Sequence, residues 1–184
     1  EGRRVLDVVE GRDGKVAEEL IKQALSEKQR EMVCGVSIDM SAPYIGAIHR
    51  NLPHADIVHD KYHISAHLCE GVDKTRRREH KQLMKGGENL LKGKKYQFLT
   101  KAEEGMTEEE FTYSQGFGLR ELEVSKAWWL KELFNHFWTR PGKNAAKTYF
   151  TYWVKEVIES GNKEMLKVAS MIEKHLANIL TYFD

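Results

Sequence analysis

Two short apolar runs, each closing on an aspartate, constrain this chain more than any other feature. Met32–Ile38 is followed by Asp39, and Ala55–His59 is followed by Asp60. Both runs are rich in residues that suit a half-buried pleated surface. Between them Tyr44, Ile45 and Ile48 recur at helical spacing, Ser41 is placed to cap, and Pro43 is tolerated in a first turn. Leu52-Pro53 closes that helix. Strand, helix and strand in this order give a parallel pair with a right-handed crossover. Carboxylates at the C-terminal ends of such strands stand where open α/β sheets place their chemistry.

Upstream, Arg3–Val9 reads as another strand, Glu10–Gly14 as turn chemistry, and Val16, Leu20, Ile21, Ala24 and Leu25 as a helix face. From Lys61 onward helical periodicity alone remains. A long charged helix is expected from there to Gly86-Gly87, and Thr107-Glu108-Glu109-Glu110 has the capping-box pattern. Val124–Trp138 is apolar on most sides, ending at Arg140-Pro141-Gly142. Ala146, Tyr149, Phe150, Trp153 and Val157 form the next stripe, up to Ser160-Gly161-Asn162; Met165, Ala169, Ile172, Leu176 and Ile179 form the last. The expected architecture is α/β plus all-α: about three strands within residues 1–62, then a larger helical part over 63–184.

Charge and cysteine usage bound the function. The net charge is +1 and hydrophobic residues make up 41% of the chain, so any nucleic-acid contact must come from local patches rather than a globally basic surface. Cys34 and Cys69 are too few for a disulfide framework and read as reduced packing residues. There is no signal-like segment and no apolar run long enough to span a bilayer, so a cytoplasmic protein without membrane association is expected.

The run Ile38-Asp39-Met40-Ser41, with Tyr44-Ile45, Leu52-Pro53 and Asp60-Lys61-Tyr62-His63, resembles the DDE transposases of the ISL group of bacterial insertion sequences. Leu68, Val72-Asp73 and Arg76-Arg77-Arg78 continue the match, as does the tail from Met171 to Phe183. The resemblance implies a truncated RNase H-like α/β part, split by a helical insertion before its last acid. It implies metal-dependent cleavage and strand transfer on DNA at insertion-sequence ends, with Mg²⁺ or Mn²⁺ as cofactor. Asp39 then matches the second of three metal-binding acids, and Asp60 and His63 match a D-x-x-H signature beside it. The first acid and the final E-G-x-N pattern have no counterpart in this sequence. The chain is therefore expected to be an internal piece of a catalytic domain, inactive in isolation.

Each of these residues also has a plainer reading. Asp39 and Asp60 could cap the helices that follow them. His63 and His67 share a helix face, but no Cys or Glu completes a zinc set. Lys74, Arg76, Arg77, Arg78, His80 and Lys81 form a basic run that is either a solvated face or a contact for DNA phosphates, with Lys92, Lys94 and Lys95 near Tyr96 and Phe98 as an extension. Trp128, Trp129, Trp138 and Trp153 fall on helical stripes and read as core. Glu132, Glu156 and Asp7 read as ordinary charges rather than substitutes for the missing acids. Open strand edges predict self-association. The alternative function is a non-catalytic helical module that binds DNA or protein.

Overall fold

The computed structural model describes residues 5–89, 91–92 and 122–183. Helix α1 (Gly14–Ala24) starts where the Asp13 carboxylate accepts the N–H groups of Lys15 and Val16, at 2.8 and 3.0 Å. A short α2 (Glu27–Glu31) carries a Ser26/Gln29 capping box. Then follow β1 (Gly35–Ile38), α3 (Ala42–Asn51), β2 (Asp56–His59) and the long α4 (Lys61–Lys85). After residue 122 come α5 (Glu123–Asn135), a 3₁₀ turn (His136–Thr139), α6 (Lys143–Ser160), α7 (Lys163–Lys174) and α8 (Leu176–Leu180).

Two compact units result. One runs up to His63 and takes in His175–Tyr182; the other runs from Ile64 to Lys174. In the first, β1 and β2 pair in parallel, with Val36 opposite Ile57 and Ile38 opposite His59. Helix α1 packs on α3, and α8 packs on β2. The buried centre is Ile48, Leu52 and Ile57, with Ile21, Val33, Val36, Ile38 and Ile45 partly buried around it. Beside it lies an apolar cavity of about 360 Å³ between α1, β1 and α3, lined by Ala17, Leu20, Val36, Ile38 and Tyr44 among others.

The sheet is smaller than the sequence suggests. Among the described residues it has two strands, and residues 5–9 are not in either. Val5 and Val8 are 80% and 78% exposed, and the Asp7 carboxylate accepts the N–H of its own neighbour Val8 at 2.8 Å. A β-prone segment without a partner strand turns to local bonds, because a lone strand cannot satisfy its backbone. The first strand of the pair also begins at Gly35 rather than Met32, which leaves Cys34 exposed instead of packed.

The second unit is all helical among its described residues. Trp153 is fully buried, lies edge-on to Phe134 at 4.8 Å, and donates its indole N–H to the Leu130 carbonyl at 2.8 Å. Phe134 stacks on Phe137 at 5.1 Å. Trp129 departs from the core expectation and stands half exposed. Gly71 of α4 lets α7 approach closely: a Cβ there would meet Met165 and Val168 side-chain atoms at 3.1 Å. Buried Glu79 accepts the N–H groups of Glu123 and Val124 at 2.8 and 2.9 Å and so caps α5 from α4. Asn162 caps α7 in the same way through Glu164 and Met165, and its amide oxygen also accepts from the Thr75 hydroxyl. The capping-box expectation at Thr107-Glu108-Glu109-Glu110 lies outside the described residues.

Candidate functional site

Asp39 follows the last residue of β1 and is partly buried. One oxygen of its carboxylate accepts the Ser41 N–H at 2.9 Å. Ser41 occupies the cap position of α3 without contributing its own side chain, and the Asp39 bond forms a local turn just ahead of that helix. Its other oxygen stands in no hydrogen bond among the described residues. Asp60 stands at the matching place after β2: its N–H donates to the Ile38 carbonyl at 3.2 Å, and its exposed carboxylate accepts the Tyr62 N–H at 2.8 Å. The backbone N–H of His63 donates to the Asp60 carbonyl at 3.1 Å, while its exposed ring lies edge-on to Tyr62. The two aspartates thus share one end of the sheet, and no hydrogen bond or ion pair joins Asp39 to Asp60 or His63 among the described residues.

His59 is the residue that sequence reasoning passed over. It is 1% exposed, and its Nδ1 lies 3.3 Å from the Ile38 carbonyl, one residue before Asp39. A carbonyl can only accept, so the proton sits on Nδ1. Nε2 then faces the Asn178 amide at 3.5 Å, and His175 meets the ring edge-on at 5.2 Å. Burial pushes the His59 pKa down; the Ile38 carbonyl, and then the negative charge of Asp39, pull in the opposite direction. The signal lay in period two: His59 points to the same inward face as Ile57.

Residues 1–184 match the family model for DDE transposases of the ISL3 type, described as a transposase. The chain belongs to this transposase family. No curated protein and no solved structure matches it.

DDE transposases use divalent metal ions, so the donors near Asp39 bear on chemistry. Among the described residues of the transposase chain no group of three or more His, Cys, Asp or Glu could hold a metal ion. One partly engaged carboxylate does not offset the charge of a hard dication, which takes several oxygen ligands. The described residues therefore do not by themselves fit the metal.

The basic run lies on α4, and its cations are largely matched by acids. Arg76 and Arg77 both bind buried Asp73, at 2.8 and 3.0 Å. Lys74 binds Glu70 at 2.8 Å, and that ammonium holds the Glu70 carboxyl below its usual range. Arg78 pairs with Glu123 and reaches Glu164 at 3.6 Å. Lys81 is exposed, and His80 is partly buried. Lys92 is exposed; Lys94, Lys95, Tyr96 and Phe98 lie outside the described residues. Of the acids weighed as substitutes, Glu132 binds Lys131 at 2.6 Å, which gives it a structural role, Glu156 is partly buried, and Asp7 is exposed. No helix among the described residues is long and apolar enough to cross a membrane.

Proposed function

We propose that this transposase chain supplies one acid, Asp39, to a site that binds Mg²⁺ or Mn²⁺ and acts on DNA phosphodiesters at insertion-sequence ends, with Asp60 and His63 as neighbours. The observation that carries this is the placement of Asp39 at the C-terminal end of a parallel strand, with one carboxylate oxygen outside any hydrogen bond among the described residues. The α/β unit is read as part of an RNase H-like core, and the helical unit as an insertion into it. The return of α8 onto β2 supports that order, because the chain comes back to the sheet after the helices.

By the same reading the chain alone does not cut DNA, since a two-metal site needs several carboxylates and the described residues gather no group of three or more metal-binding side chains. Incubation with supercoiled DNA and Mg²⁺ or Mn²⁺ is expected to leave it intact. Nicking that survives repurification and vanishes in Asp39→Asn would defeat the inactivity while upholding Asp39. Self-association belongs to this reading too, supported by the exposed Val5, Leu6 and Val8. Light scattering on the same preparation checks it, and a monomer at all concentrations counts against it.

A further inference from the structure

We propose that the exposed face of α6, centred on Lys147 and Lys155, is a contact surface for the phosphate backbone of duplex DNA, a proposal that rests on the reading that this chain acts on DNA. The first observation is electrostatic. Residues 133–155 contain Arg140, Lys143, Lys147 and Lys155 and no Asp or Glu. In a chain of 28 acids and 29 Lys and Arg, so long an acid-free stretch leaves a local positive field that the near-zero net charge hides.

The second observation is geometric. Asn144, Lys147, Thr151 and Lys155 follow one another at three or four residues, so they line one side of α6, and all four are exposed. Tyr152 is exposed beside them. The hydroxyls of Thr148 and Thr151 donate to the carbonyls of Asn144 and Lys147, at 3.1 and 3.2 Å, so they face outward as acceptors. The donors offered to an anion are the two ammonium groups, the Asn144 amide and the Tyr152 hydroxyl, the side-chain types that contact DNA phosphates. At 1.5 Å per residue, Lys147 and Lys155 stand about 12 Å apart, a span that meets several charges on a duplex carrying one per about 1.7 Å of axis.

The contrast with α4 decides between the two basic regions. Arg76, Arg77 and Arg78 already hold carboxylates, one of them the buried Asp73. On the α6 face Lys155 lies 3.7 Å from Glu159, in a pair with both side chains exposed, the kind worth little in water. Lys147 has no ion pair among the described residues. A membrane surface fits less well, because the face carries no apolar stripe to bury between its lysines.

The test uses the whole 184-residue chain and a labelled duplex of arbitrary sequence, titrated at several salt concentrations. Lys147→Ala with Lys155→Ala is expected to weaken binding about tenfold at low salt and to lower the slope of log affinity against log salt by about 2, with unchanged helical circular dichroism. Arg77→Ala with Lys81→Ala is expected to change the affinity less. Binding by the wild type that is unaltered in the α6 variant would overturn the surface and leave the DNA reading standing. A wild type that fails to bind at low salt would overturn both. Binding to phosphatidylserine-containing vesicles as tight as to DNA would replace the nucleic acid by an anionic lipid surface.

Discussion

In the helical unit a tryptophan is wholly enclosed by rings and carbonyls, whereas in the α/β unit three buried aliphatics, Ile48, Leu52 and Ile57, sit beside an apolar cavity. The helical unit also ties its polar groups across helices, with Glu79 of α4 capping α5 and Thr75 of α4 donating to Asn162 at the start of α7. The α/β unit ties its sheet end through one histidine to two residues of a distant segment. The candidate acids stand on the thinly packed side. A site of this kind depends on a few specific contacts to hold its geometry, while the helical unit is held by a cluster of packed rings.

The largest expected effect breaks the dense side. Trp153→Ala removes a fully buried ring and the bond to Leu130, and should cost about 3–5 kcal/mol. Chemical denaturation followed by Trp fluorescence and circular dichroism measures it. A loss below about 1 kcal/mol would show that the helical core is not the stronger of the two.

A smaller effect sharpens the thin side. Burial lowers the His59 pKa below its ordinary 6.5, so the unfolded chain binds the extra proton more readily than the folded one. The neutral-ring contribution is therefore complete above about pH 6.5 and is lost progressively as pH falls below it. Melting temperatures at pH 7.5 and pH 5 should differ, and His59→Phe should shrink that difference whatever its own baseline. An identical pH response in the variant would remove His59 from the account.

The smallest effect fills the cavity. Ala17→Leu adds methyl groups to its wall and should stabilise the α/β unit by about 1 kcal/mol. A destabilised variant would mean that the wall of α1 is already close-packed.

Much of the element order was legible. Apolar periodicity marked α3, α5, α6 and α7, though it ran α7 and α8 together as one stripe, and two helix breaks fell at glycines that the backbone needs: Gly142 has φ +145° and Gly161 φ +65°, where a side chain would be strained. The two paired strands were legible because each ends on an aspartate after an apolar run. Residues 5–9 show the same strand composition without a strand, since composition states a preference and pairing needs a neighbour. At the site, Asp39 and Asp60 stood out by position. His59 did not, because its partners Asn178 and His175 lie far along the chain and local spacing cannot reveal them. The pairing of Arg78 escaped for the same reason, since Glu123 and Glu164 reach it from other helices, whereas Asp73 stands only three and four residues before Arg76 and Arg77, within reach of local spacing.

The contact between His59 and Asn178 joins residues 119 apart in sequence. During synthesis the strand that carries His59 leaves the ribosome long before its partner exists. Chain growth of about 5–20 residues per second puts that wait at roughly 6–24 seconds. Over that interval the sheet end beside Asp39 lacks its last support, while the helices of the second unit, built from nearer neighbours, can already settle. The order of synthesis thus delays the support of the sheet end beside Asp39 until α8 has emerged.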